Sequence, residues 1–127
     1  MNQEHRFRPV PTRKVPRFAG VSTFLRLPEH DDPRDVDVLI VGAPFDGGTS
    51  FRPGARFGPR GVRQASALTR GFHPEPGLDL FDHLRCADGG DVAAVPLSID
   101  ETLSRIAARL EPIARAGAVP ALVGGDH

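Results

Sequence analysis

The side chains best suited to chemistry come directly after an apolar segment near the end of the 127-residue chain. Gly124, Gly125, Asp126 and His127 follow residues 119–123, which have the composition of a buried strand. A neutral imidazole is a common nitrogen ligand of transition metals, and ligands gather at the carboxyl ends of parallel strands. This pattern makes His127 a candidate metal ligand, and a surface histidine without a ligand is the alternative.

A pair of carboxylates, Asp88 and Asp91, follows the short predicted strand 84–87. These side chains would lie at the end of a neighbouring strand, near the candidate ligand. Two glycines separate them, and this spacing fits an Asx-type turn as well as it fits a metal site. Both interpretations stay open on the residues alone.

A long loop rich in glycine and proline runs from Gly42 to Gly58, and Pro59 suits the first turn of a helix behind it. Backbone N–H groups of such loops can cradle phosphate where a helix begins. The glycine spacing matches neither the dinucleotide-binding pattern nor the P-loop, and the loop contains no lysine. A shaped turn therefore explains the loop better than a phosphate cradle does.

Nucleophilic catalysis has little support in the sequence. Ser50 lacks the G-x-S-x-G pattern, and Cys86 lies inside a predicted strand, where it should be buried as a small apolar residue. The remaining histidines have no metal-ligand spacing and are predicted to be solvated: His5, His30, His73 and His83.

Three strands are predicted at 38–41, 84–87 and 119–123, the first of them buried on both faces. With two helices between them, residues 37–127 have the order β-α-β-α-β, which indicates a parallel sheet in an α/β fold. No helix follows the third strand, so we expect the front part of a larger domain whose remainder pairs with an exposed strand edge.

Both helices have recognisable boundaries. The first should begin at Pro59 and end by Gly71. The second should begin at a capping box formed by Ser98 and Glu101 and end at Gly117. Pro112 should kink or shorten its last turn. The apolar residues near helical spacing are Val62, Ala65 and Leu68 in the first helix, and Ile99, Leu103, Ile106, Leu110 and Ile113 in the second.

Residues 1–36 are predicted to form an extended arm rich in proline and arginine, because prolines interrupt every helical pattern. The arm should lie along the domain or along a neighbouring subunit, and a contact with nucleic acid is the less favoured alternative. Its expected anchors are Phe18, Val21, Phe24 and Leu27. Residues 72–83 are predicted to be a loop.

Charge and composition argue against several classes of protein. Sixteen basic and sixteen acidic residues give a net charge of zero, which calls for no polyanionic partner. No apolar segment reaches membrane-spanning length, and no signal-peptide pattern follows Met1. The single cysteine allows no internal disulfide. We therefore expect a soluble, cytoplasmic protein with neither nucleic acid nor membrane as partner.

Four ordered motifs resemble the agmatinase-like branch of the ureohydrolase (arginase/agmatinase) family: PRFAGVSTFLRLP, GAPFDGGTSFRPGARFGPRGVRQAS, ADGGDV and LVGGDH. The resemblance implies the N-terminal part of a three-layer α/β/α domain with a parallel sheet, incomplete in this chain. It also implies a homo-oligomeric hydrolase with two manganese ions, whose bridging hydroxide attacks a guanidinium carbon and yields urea and an amine. Agmatine is the default substrate, and guanidinobutyrate, guanidinopropionate and proclavaminate-type compounds are the alternatives.

The resemblance also assigns residues. His127 would ligate one manganese, and the turn that aims it would be shaped by Gly124, Gly125 and Asp126. Asp91 would sit in a structural turn nearby. The rim of the active site would hold six further candidates, none of them with a catalytic role of its own: Asp46, Gly47, Gly48, Ser50, Arg52 and Arg56.

This chain lacks two motifs that carry the family's other metal ligands, Asp-x-His-x-Asp and Asp-x-Asp. One imidazole cannot hold a binuclear centre, so the 127-residue chain alone is predicted to bind manganese negligibly and to be inactive. Two other classes compete with an enzyme fragment. One is a short non-catalytic homologue that docks on full-length relatives, and the other is a phosphate- or nucleotide-binding module. The coding sequence beyond the His127 codon would separate an enzyme fragment from a short non-catalytic homologue.

Overall fold

The structure, a computed structural model, describes residues 6–126. Its main element is a parallel sheet in which the first strand lies between the other two. The strands and helices in chain order are β1 (Val38–Ala43), α1 (Gly58–Ser66), β2 (Phe72–His73), β3 (Leu78–Asp79), β4 (Cys86–Asp91), α2 (Ile99–Arg115) and β5 (Val119–Gly124). The sheet order is β4-β1-β5, which confirms the parallel α/β prediction.

The central strand β1 is covered on both faces, as its run of β-branched residues predicts, but burial is complete only on the face of Leu39 and Val41. Leu39 and Val41 are inaccessible to solvent and pack in a core with Ile113 of α2. Val38 and Ile40, on the opposite face, pack against a second cluster that includes Phe81. Successive side chains of a strand alternate between faces, so these two clusters form layers on either side of the sheet.

The two helices cover opposite faces. Pro59 lies in the first turn of α1 and is packed close to Gly42, on the face that α2 does not cover. The start of α1 is therefore confirmed, but its end is not: α1 stops at Ser66, and Leu68 lies beyond it, 73% exposed. The backbone N–H of Leu68 donates to the carbonyl of Ala65 in a turn that follows α1. The apolar spacing that predicted a longer helix therefore extends into this turn.

The second helix starts as predicted, with the Ser98 side chain accepting the backbone N–H of Glu101. Pro112 does not shorten α2, which continues to Arg115. Gly117 follows the helix with a φ of +86°, the left-handed conformation that ends many helices. Only the second half of the apolar stripe is covered: Ile113 is buried, Ile106 and Leu110 are partly buried, and Ile99 and Leu103 are about half exposed.

The strand β4 extends through both of its glycines rather than ending at residue 87. The register against β1 is irregular between Ile40 and Gly42, and Gly90 has a φ of +74°. A glycine in this conformation lets a bulge occur without breaking the strand, which explains why the prediction placed the turn too early.

Residues 72–83, predicted to be a loop, contain a small hairpin. Phe72 pairs with Asp79 and His73 with Leu78, and Gly77 supplies the left-handed residue of the turn. A short 3-10 turn at Leu80–Asp82 then buries Phe81 against the sheet. Strands of two residues have no periodicity that a sequence pattern can detect.

The N-terminal segment is fastened to the domain at a few points. Phe24 and Leu27 are buried as expected, whereas Phe18 and Val21 are exposed. Phe7 is also buried and joins the α2 side of the core, although the sequence pattern did not single it out. The boundary at residue 36 stays a prediction.

Cys86 begins β4 and is buried. Burial raises the pKa of its thiol to about 11, so little thiolate is present at neutral pH. We expect iodoacetamide at pH 7.5 to alkylate the Cys86 peptide far more slowly in the native protein than in guanidinium chloride, as measured by peptide mass mapping. Equal rates in the two states would contradict the burial.

Within residues 6–126, no helix has the length and apolar character needed to cross a membrane.

Candidate active site

The loop after β1 wraps around the end of β5. The backbone N–H of Asp126 donates to the carbonyl of Phe45 at 2.7 Å, and that of Gly125 donates to the carbonyl of Ala43 at 3.4 Å. Parallel strands end at the same edge of a sheet, so the predicted rim and the turn after β5 do meet. The two segments are tied backbone to backbone.

Glycines permit this close approach. A Cβ on Gly48 would lie 2.5 Å from a carboxylate oxygen of Asp126, and a Cβ on Gly58 would lie 2.7 Å from the carbonyl oxygen of Gly124. Neither space could hold a side chain without displacement of its neighbour. Packing against the end of β5 therefore explains two of the glycines of the loop, Gly48 and Gly58.

Asp46 and Arg56 close the loop on itself. The Asp46 carboxylate is almost fully buried and accepts from Arg56 Nε at 2.8 Å and from the backbone N–H of Gly54 at 2.7 Å. These hydrogen bonds, the one from Arg56 first, lower the pKa of Asp46 to about 2. Both residues were predicted to be on the rim, and the structure shows them joined in an internal ion pair that shapes it.

This pair makes a prediction about acid stability. Because the pKa of Asp46 falls from its usual value of 3.8 to about 2 on folding, its contribution is complete above pH 4 and is lost as the pH falls towards 2. We expect Asp46→Asn to lower the urea midpoint at neutral pH and to flatten its decline in acid. Glu75→Gln, on an exposed loop, is the matched control. A parallel decline for Asp46→Asn and wild type would refute the role of the pair.

Four other predicted rim positions are exposed: Gly47, Gly48, Ser50 and Arg52. The Arg52 guanidinium lies 5.3 Å from the centre of the Phe51 ring, and both side chains point away from the core. A cationic and an aromatic side chain are thus exposed to solvent on the loop after β1. Their contact with a substrate stays a prediction.

A second cluster, which the sequence analysis missed, joins α1, β4 and the N-terminal segment. Arg63 donates to both carboxylate oxygens of Asp88, at 2.8 and 3.0 Å, and to Asp91 at 2.7 Å. Its guanidinium also lies 4.1 Å from the centre of the Phe24 ring. Asp91 is thus held by Arg63, and the structural role that the resemblance implies for it stays a prediction.

Burial alone would raise the pKa of Asp88, but hydrogen bonds from Arg63 and from the backbone N–H groups of Phe24 and Gly90 outweigh it. The pKa consequently lies below its usual value, and Asp88 is a buried anion. Twenty-five positions separate it from Arg63, and no local pattern indicates a pair at that distance.

The described residues do not form a metal site by themselves. Within residues 6–126, no group of three or more His, Cys, Asp or Glu side chains could hold a metal ion. Asp46 is paired with Arg56, and Asp91 is paired with Arg63. His127, the predicted ligand, lies outside the described residues. This donor set therefore does not fit a binuclear manganese centre.

The family model described as "Arginase family" matches residues 36–127. The chain is 42% identical over 112 residues to proclavaminate amidinohydrolase of Streptomyces clavuligerus, covering 88% of this chain and 36% of that protein. It is 41% identical over 127 residues to guanidinopropionase of Pseudomonas aeruginosa, covering all of this chain and 40% of that protein. The chain thus spans about two fifths of the length of these relatives.

Two solved structures also resemble this chain in fold. The proclavaminate amidinohydrolase structure from Streptomyces clavuligerus superposes with a TM-score of 0.84 at 42% identity, over 89% of this chain and 38% of that one. A Trypanosoma cruzi formiminoglutamase, solved with Mn2+, superposes with a TM-score of 0.67 at 27% identity, over 81% of this chain and 35% of that one. The incomplete α/β architecture is the one expected of the front part of this fold.

Proposed function

The chain belongs to the arginase family, and from that premise we propose that the whole protein is an amidinohydrolase that converts a linear guanidino compound to urea and an amine. The observation that carries the proposal is the joint agreement of sequence and fold, 42% identity with a TM-score of 0.84, with one such enzyme. The rim loop tied to the β5 turn lies within the matched region.

Agmatine is the first substrate we propose, and the guanidino acids come next. Two of the relatives bear the names of other guanidino substrates, proclavaminate and guanidinopropionate. Of the rim residues that we propose, Ser50 and Arg52 are exposed. We infer that the residues that select the substrate tail lie largely outside this chain, which spans 36–40% of these relatives.

We propose two manganese ions as the cofactor of the whole protein, with His127 as one ligand and with Gly124, Gly125 and Asp126 shaping the turn before it. The manganese in the related formiminoglutamase and the LVGGDH motif support this assignment. Residues 6–126 contribute shape and charge around the site rather than the ligand set. We further propose a homo-oligomer in the cytoplasm.

The test is urea release by the whole protein, purified with manganese and assayed with agmatine, guanidinobutyrate and guanidinopropionate. We expect urea from at least one of them, with two manganese ions per subunit by elemental analysis. A manganese-loaded, folded protein that releases urea from none of the three would overturn these substrates, and the same result with a proclavaminate-type guanidino compound would overturn the proposal.

The 127-residue chain alone should behave differently. One imidazole is far from a complete ligand set. We therefore expect the dialysed chain to retain less than about a tenth of an equivalent of manganese per chain and to release no urea from a guanidino substrate. Elemental analysis of the dialysed chain measures this directly. Two equivalents bound to the chain would show that the ligands have been misassigned.

A further inference from the structure

The basic residues of the N-terminal segment are concentrated although the chain as a whole is neutral. Residues 6–28 contain six arginines and lysines and no aspartate or glutamate. Three of the acidic residues that follow are paired with arginines outside the segment: Asp31 with Arg109, Asp32 with Arg34, and Asp37 with Arg85. Within the segment, Arg8 is paired with Asp82 and lies 4.0 Å from Asp79. Most of the positive charge of the segment is therefore not cancelled by these neighbours.

The fold gathers this charge into one groove of about 620 Å³, between the N-terminal segment and the chain that follows α1. Six cationic side chains line it, against one carboxylate, Asp79. The cations are Arg6, Arg8, Lys14, Arg17, Arg26 and Arg70. A cavity of this size holds a small molecule rather than a single ion.

Some of these cations are held in place and others are available to a ligand. Arg8 donates to Asp82 at 2.6 Å, and Arg26 donates to the carbonyl of Val15. Among the described residues, no carboxylate lies within 4.0 Å of Lys14, Arg17 or Arg70. Fixed guanidinium groups beside available cations are suited to multivalent oxyanions, which arginine binds through paired hydrogen bonds.

The backbone at the groove is also unusual. Leu25 and Arg26 both have left-handed φ values, 55° and 58°, which a leucine rarely adopts. The Leu25 N–H donates to Ser66 Oγ, and the neighbouring Phe24 N–H donates to the buried Asp88. Such strain persists only where surrounding contacts impose it, and it clusters at binding sites.

We propose that this groove binds a small multivalent oxyanion, carrying phosphate or carboxylate groups, at a site separate from the turn after β5. Arg8 and Arg26 form its fixed wall, and Lys14, Arg17 and Arg70 close on the ligand. The inference does not depend on the proposed hydrolase activity.

Calorimetric titration of the whole protein with tripolyphosphate and with citrate tests the proposal. We expect one site per chain that weakens as salt rises, and the tighter of the two anions identifies the phosphate or carboxylate source. The triple variant Lys14→Gln, Arg17→Gln, Arg70→Gln should lose about tenfold or more in affinity. The control Arg13→Gln, Arg60→Gln, Arg115→Gln removes equal charge outside the groove and should change affinity less than twofold.

A second readout does not depend on any variant. Lys14 is the only lysine of the chain, so its acetylation by acetic anhydride, followed by peptide mass mapping, should slow when tripolyphosphate is bound. Unchanged labelling, equal losses in the two triple variants, or absence of binding would overturn the proposal. Tighter binding of an octaglutamate peptide than of either small anion would also overturn it, in favour of a protein partner.

Discussion

Replacing Arg63 by alanine will destabilise the protein by about 3–5 kcal/mol, because it leaves the buried Asp88 carboxylate without its counter-ion. Asp88 is 2% exposed, and Arg63 meets both of its oxygens. The same change removes the bond to Asp91 and the contact with the Phe24 ring. The strand β4 and the N-terminal segment would therefore lose their shared partner on α1 at once.

Urea denaturation of the whole protein, compared with Arg60→Ala on the exposed side of the same helix, measures the effect. We expect the control to change stability by less than about 0.5 kcal/mol. The double variant Arg63→Met, Asp88→Leu should recover only part of the loss, because the Phe24 and Gly90 N–H groups would then lack their acceptor. A loss below about 1 kcal/mol for Arg63→Ala would show that Asp88 finds other compensation.

Gly125→Ala should cost about 1–3 kcal/mol or more, because the added methyl group would collide with backbone rather than with movable side chains. Its Cβ would overlap the Phe45 carbonyl oxygen and lie 2.8 Å from that of Ala43. Relief requires the β1 loop to move away from β5, at the expense of the hydrogen bond between Asp126 and Phe45.

Gly124→Ala is the matched control, one residue earlier in the same turn. Among residues 6–126, no atom outside its chain neighbours lies within 4 Å of a Cβ at Gly124, so this variant should be close to wild type in urea denaturation. The two variants differ only in what surrounds the methyl group. Equal stability of the two would show that the loop and the strand end are not locked together.

Local patterns predicted the elements that depend on local chemistry. The β-branched run of β1, the proline that begins α1 and the Ser98 cap of α2 each occur where their own chemistry requires. The errors concern tertiary contacts. Leu68 continues a helical spacing after α1 has ended. Phe7 is buried in the core cluster that includes Ile113 of α2, far from it in the sequence.

The candidate site divides in the same way. The family resemblance assigned the loop after β1 and the turn after β5 to one active site, and backbone hydrogen bonds tie the two segments together. The pairing of Asp46 with Arg56, and of Asp88 with Arg63, depends on which arginine of fifteen reaches which carboxylate. Spacing along the chain contains no such information, so neither ion pair could be predicted from the sequence.

The central position of β1 has a consequence for how the molecule is made. Val38 pairs with Cys86 and with Val119, which lie 48 and 81 positions later. During synthesis, this apolar strand has no partner until β4 has left the ribosome, and its other edge stays unpaired until β5 follows. Closing loops of that length before any pairing energy is gained slows folding and leaves the strand open to aggregation. Chaperone dependence in the cell is the expected result.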